Sequence, residues 1–114
     1  MRIGTIVLQV QDLRRASRFW CEALGYRPRD GRVNDDDSPV LVPENGDGPS
    51  ITLDETDRMH LDVQVGGAAE QQAEVERLIG LGATRVDWTY AEGADHVVLA
   101  DPEGNLFCVV IARP

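Results

Sequence analysis

Thr5-Ile6-Val7-Leu8-Gln9-Val10 and His60-Leu61-Asp62-Val63-Gln64-Val65 are the two stretches on which the fold turns. They lie 55 residues apart, and Leu8-Gln9-Val10 sits conservatively over Val63-Gln64-Val65. Each is β-branched and apolar enough to read as a strand. Further out, Leu24-Gly25 lies over Leu81-Gly82 at an offset of 57, and Pro43-Glu44-Asn45-Gly46 over Pro102-Glu103-Gly104-Asn105 at 59. An apolar stretch follows each of these turns, Ile51 to Leu53 in one copy and Leu106 to Ile111 in the other. Two repeats, 1–57 and 58–114, account for the chain as one domain.

Within the first copy, Asp12 can cap a helix that runs to Leu24, with Leu13, Ala16, Phe19, Trp20 and Leu24 near helical spacing and Gly25 as the stop. In the second, Gly66-Gly67 breaks the strand. A helix over about residues 68–81 follows, with Ala69, Val75, Leu78 and Ile79 inward and Gly82 at its end. Three short strands follow each helix, the last two joined by the Pro-Glu turn, where Gly104 and Asn105 suit positive φ. The pattern is βαβββ twice. Asp35-Asp36-Asp37 and the stretch from Asn45 to Ser50 read as polar loops.

With 114 residues and 42% of them hydrophobic, the chain can bury a core without disulfides. It has 20 acidic residues against 11 basic ones, all arginine, for a formal charge of −9. Such a surface repels phosphate backbones and anionic headgroups, so neither nucleic acid nor membrane is an expected partner. The apolar runs are strand-sized and no targeting segment is evident, which predicts a cytoplasmic protein with Cys21 and Cys108 as reduced thiols. Dinucleotide and phosphate loops, nucleophile elbows and Cys-x-x-Cys pairs are absent from the sequence.

The opening, Ile6-Val7-Leu8-Gln9-Val10-Gln11-Asp12-Leu13 with Phe19-Trp20 and Leu24-Gly25-Tyr26, resembles the start of the vicinal oxygen chelate superfamily. That superfamily includes glyoxalase I, extradiol dioxygenases, and fosfomycin- and bleomycin-resistance proteins. The close, from Asp101-Pro102-Glu103-Gly104-Asn105 to Phe107-Cys108, is similar to its final hairpin in the small glyoxalase-like branch. The resemblance implies an α+β fold in which two βαβββ modules form a curved, cup-shaped mixed sheet, with the helices on the convex face and a ligand in the cup.

Strand alternation then assigns faces. With Ile6, Leu8 and Val10 on the helix side, Thr5, Val7 and Gln9 face the cup. Likewise Leu61, Val63 and Val65 are core and His60, Asp62 and Gln64 face the cup. Thr52 and Asp54 join them from the first copy, and Leu106, Cys108 and Val110 from the second, behind Phe107, Val109 and Ile111. His96 shares parity with Val98 and Ala100, pointing either to the cup or to solvent. Trp20 reads as core. Trp88, in a short strand with Val86, is a candidate pocket wall.

The resemblance to metal-dependent members implies four ligand positions, which fall here on Thr5, Thr52, His60 and Cys108. Threonine hydroxyls are poor ligands for a divalent ion, so no cofactor and no metal residue is expected unless Asp54 or Asp62 completes a shifted site. His60, Asp62 and Cys108 are the candidate catalytic residues: a general base with an orienting carboxylate, or an imidazole that activates the thiol. The alternative is that His60 is a structural remnant in a polar cavity. The candidate ligand-binding set is Thr5, Val7, Gln9, Thr52, Asp54, His60, Trp88, His96, Val98 and Cys108.

The expected function is binding of a small organic ligand in the cup by a homodimeric glyoxalase-like protein. The alternatives are a metal-dependent lyase or isomerase, an antibiotic-sequestering protein of bleomycin-resistance type, and an interaction module with a collapsed cup. The negative charge suits a cationic ligand.

Overall fold

The computed structural model describes residues 1–31 and 38–112. The loop expected at Asp35-Asp36-Asp37 lies outside them. The chain divides into two compact units, Thr5–Met59 and a second made of His60–Pro114 together with Met1–Gly4. The fold class is α+β, two βαβββ modules, as the repeat predicts.

In the first unit the elements are β1 (Arg2–Gln9, whose first residues cluster with the other unit), α1 (Leu13–Leu24), β2 (Tyr26–Pro28), β3 (Val40–Pro43) and β4 (Ser50–Asp54). The strand order is β2-β3-β4-β1. β1 and β4 run parallel with Val7 opposite Thr52, and the other pairs are antiparallel. The Asp12 side chain accepts a hydrogen bond from the Arg15 amide at 2.9 Å, capping α1. Gly25, at φ 69°, closes the helix in the left-handed region and donates to the Cys21 carbonyl. A side chain there would bring steric strain. The core gathers Leu13, Leu41, Ile51 and Leu53, with Leu8, Val10, Ala16, Trp20, Cys21 and Tyr26 against it. Leu41 and Leu53 are fully buried, which stabilises by about 1.5–3 kcal/mol each.

Two expected core positions of α1 are corrected. Phe19 is 60% exposed and Leu24 48%. At about 100° per residue, Phe19 lies roughly 120° around the helix from Leu13, so Ser17 takes the inward place. Phe19 instead stands edge-on against Trp20, ring centroids 5.1 Å apart. Leu24 is the last residue of the helix, next to the Gly25 cap, and is half exposed there.

The second unit repeats the plan with β5 (His60–Val65), α2 (Ala68–Gly80), β6 (Thr84–Arg85), β7 (His96–Ala100) and β8 (Leu106–Ile111), in strand order β5-β8-β7-β6. β5 and β8 are parallel with Asp62 opposite Cys108, as Val7 is opposite Thr52 in the first unit. Val65, Val75, Ala83, Leu99 and Val109 form its core, flanked by Val63, Leu78, Val97, Phe107 and Ile111. α2 lacks a side-chain cap at Gly67, but the Glu70 carboxylate accepts from the Gly66 amide at 2.6 Å.

Here too, expectations are corrected. Ala69 and Ile79 are exposed because the inward stripe runs through Gln71, Val75 and Leu78. From that stripe the Gln71 side-chain amide donates to the carbonyls of Asp95 and Val109. Leu61, expected as core, is 38% exposed. Trp88 is in no strand, since β6 stops at Arg85, and is 46% exposed. Asn105 does not adopt positive φ; among the described residues only glycines do. Its amide instead binds the Asp101 carboxylate, which also accepts from the Asn105 side chain and the Glu103 amide. These bonds, the Asn105 side chain foremost, hold Asp101 below its usual carboxylate range.

Candidate functional site

The register of the second unit places Asp62, Cys108 and Val98 side by side on the sheet face away from the core. One strand repeat along, about 6.7 Å, lie Gln64, Val110 and His96. His60 stands one repeat in the other direction on β5. Parity predicts this alternation, and the core residues Val63, Leu99 and Val109 on the opposite face enforce it.

On that face, one ligand-type atom each of His60, Asp62 and Cys108 lies within 4.8 Å of the others. The His60 imidazole Nε2 is 3.3 Å from Asp62 Oδ1, with side chains 14% and 25% exposed. Residues two apart on a strand touch here because the imidazole reaches along the strand to the carboxylate. Cys108 is half-buried beside them, with the buried Val98 as its neighbour on β7. The result is a polar, partly accessible trio on an apolar floor.

Sequence reasoning missed the aromatic flank of this face. The Tyr90 hydroxyl accepts from the Val98 amide at 2.8 Å, a group that β6 is too short to reach. The Tyr90 ring stands edge-on to His96, centroids 5.4 Å apart, so His96 is held half-buried. The one available signal was that Tyr90 shares parity with Trp88. The Gln64 side chain lies against Gly4, where a Cβ would run into it.

The remaining candidates belong to the first unit. Thr5 and Thr52 are hydrogen-bonded through their hydroxyls at 2.9 Å. Val7 is buried and Gln9 exposed on the same face. Asp54 accepts from the Ser38 hydroxyl at 2.6 Å, from the Thr56 amide and hydroxyl, and from the Asp57 amide. The Ser38 bond and then the two amides lower its pKa to about 2. Its carboxylate is committed to organising the turn after β4. A shallow groove of about 320 Å³ beside the start of α1 runs from Val10 to Phe19, and its acid, Asp12, is the helix cap.

The four positions that the resemblance assigns to a metal do not fit one. Thr5 and Thr52 are neutral hydroxyls already bonded to each other, which leaves only His60 and Cys108 of those four as donors of the required kind; of the two acids that could complete a shifted site, Asp62 stands beside them and Asp54 is taken up by its own turn.

Two βαβββ modules of identical topology, the second bearing a His-Asp-Cys cluster on its open face, are the architecture of a glyoxalase-type fold. A family model described as a glyoxalase-like domain matches residues 5–110, and the chain belongs to that family within the vicinal oxygen chelate superfamily. A search of the curated proteins finds no match.

Among solved structures, the fold is similar to a protein described as NAD-dependent benzaldehyde dehydrogenase from Legionella pneumophila. Its TM-score is 0.66 at 13% identity, over 96% of this chain and 98% of that one. It is similar to methylmalonyl-CoA epimerase from Mycobacterium tuberculosis, at 0.64 and 20% over 99% and 89%. A variant of the Streptomyces coelicolor methylmalonyl-CoA epimerase, in complex with 2-nitronate-propionyl-CoA, gives 0.61 and 16% over 100% and 99%. At these identities the likeness is one of fold. No helix among the described residues is long and apolar enough to cross a membrane.

Proposed function

We propose that this protein binds a small organic molecule on the face carrying His60, Asp62 and Cys108, without requiring a metal. The observation that carries the reading is the convergence of these three groups within 4.8 Å on a floor of apolar residues such as Val98 and Val110. A few polar groups placed on an apolar wall are what orient a ligand in a small-molecule site. His60 would bind or move a proton while Asp62 holds its ring; His96, with Tyr90 against it, offers a second polar point along the face. A charge of −9 favours a neutral or cationic ligand over a strongly anionic one, which also accommodates sequestration of a cationic antibiotic.

Resemblance to small members of the superfamily supports a homodimer, which light scattering at micromolar concentration tests. The binding reading is tested by a thermal-shift screen over small aromatic and cationic compounds, with divalent metals as a separate arm. A compound that binds the native state raises the melting temperature by mass action. Stabilisation by organic compounds supports the reading. Stabilisation by a metal alone would replace it with the metal-assisted lyase or isomerase.

A further inference from the structure

We infer that Cys108 is a nucleophile, activated by a His60 that Asp62 orients, and that it takes a small carbonyl electrophile. This rests on the reading that the face binds a small organic molecule, and it adds a substrate class and a reacting atom. A thiol becomes an effective nucleophile when a base lies within reach and a third group holds that base in place. His60 Nε2 lies 3.3 Å from Asp62 Oδ1, and one ligand-type atom each of Cys108, His60 and Asp62 lies within 4.8 Å of the others, so a small movement of Cys108 toward the imidazole completes that relation. Such contacts are often loose without substrate and tighten when it binds.

The duplicated architecture supplies an internal comparison. Because Val7 pairs with Thr52 as Asp62 pairs with Cys108, the counterparts of His60, Asp62 and Cys108 in the first unit are Thr5, Val7 and Thr52. There the same backbone register yields two hydroxyls bonded to each other and a valine, with no base and no orienting charge. All three differences between the units point toward one chemistry. Cys21 gives a second comparison within the chain, since it packs against the hydrophobic core beneath α1. Cys108 instead faces Asp62 and His60 on β5 and the apolar Val98 on β7, with His96 one repeat further along β7.

A carbonyl is the electrophile that uses both halves of the proton transfer. His60 accepts the proton from Cys108 Sγ, and a sulfur electron pair forms the C–S bond. The π pair of the C=O moves to oxygen, and the imidazolium returns the proton to that oxygen. The product is a hemithioacetal, with no other reactant and no change of oxidation state. An alkylating agent needs only the thiolate, so it serves as a probe of activation alone.

The experiment alkylates the full-length protein with iodoacetamide at neutral pH and follows Cys108 and Cys21 separately by peptide mass spectrometry. Wild type is compared with His60→Ala, His60→Gln and Asp62→Asn. In parallel, carbonyl-labelled ¹³C-acetaldehyde is added and observed by NMR. The expected result is that Cys108 reacts about tenfold or more faster than Cys21 and loses that advantage in both His60 variants. A hemithioacetal carbon signal appears in wild type and is missing in Cys108→Ser. Alkylation of Cys108 no faster than Cys21, or unchanged in a folded His60→Gln protein, overturns the inference. So does tightly held zinc that shields Cys108 until a chelator removes it. Slow alkylation in a protein that still binds a compound from the thermal-shift screen sinks the nucleophile and leaves the binding reading. Fast, His60-dependent alkylation in a protein that binds no compound does the reverse.

Discussion

Replacing Asp54 by Asn removes one charge while nearly keeping the shape of the side chain. The carboxylate accepts from the Ser38 hydroxyl, the Thr56 amide and hydroxyl, and the Asp57 amide, bonds that favour its ionised form and take its pKa from 3.8 to about 2. A depressed folded pKa stabilises the fold above the unfolded value and ceases to do so as pH falls through the folded one. The contribution is therefore complete above about pH 5, shrinks below 3.8 and is gone below about 2. The full shift would correspond to about 2.5 kcal/mol at about 1.4 per unit. Because the group is partly exposed, solvent screening reduces this to about 1 kcal/mol. Urea denaturation at about pH 6 should show Asp54→Asn less stable by about that amount, with the gap closing near pH 2. NMR of the Asp54 carboxyl carbon should inflect near 2. An inflection at the ordinary carboxylate value, or equal stability of the two proteins near neutral pH, would refute the reasoning.

Leu99→Ala should cost about 2–5 kcal/mol in urea denaturation, since Leu99 is fully buried in the second core, whereas Leu61→Ala, at a position 38% exposed, should cost under about 1 kcal/mol. Tyr90→Phe removes the acceptor of the Val98 amide and should destabilise by about 1–3 kcal/mol, with a change in the His96 ring signals on NMR. Elemental analysis of purified protein should find less than about one equivalent of zinc, nickel or iron resisting dialysis, because two of the four carried-over ligand positions are threonines bonded to each other.

The order of elements was legible because local signals agreed with the repeat. Asp12 and Gly25 bound α1 where cap chemistry puts them, and both Pro-Glu turns join the last two strands of a module. Side-chain facing was legible where periodicity was strict and failed where it was counted loosely: Phe19 lies off the stripe that Leu13 and Trp20 define. Leu61 failed for another reason, since parity gives a face but not whether the helix covers it. Trp88 and Tyr90 lay beyond sequence reasoning because β6 ends after two residues, and a hydroxyl then takes the place of a missing strand. In the site, the positions of His60, Asp62 and Cys108 on one face could be read from parity and resemblance. That His60 touches Asp62 depends on a rotamer, and that Asp54 is committed to its own turn depends on Ser38 and Thr56, neither visible as spacing.

Whether the His60 face binds a ligand can be decided with a single substitution. Calorimetric titration of wild type and His60→Ala with the compound giving the largest thermal shift should show affinity falling about tenfold or more, roughly 1.4 kcal/mol. The melting temperature of the unliganded variant should stay near that of wild type, as expected for a partly exposed residue outside the core. A lowered melting temperature with undiminished affinity would contradict ligand binding at this face and make His60 a structural residue.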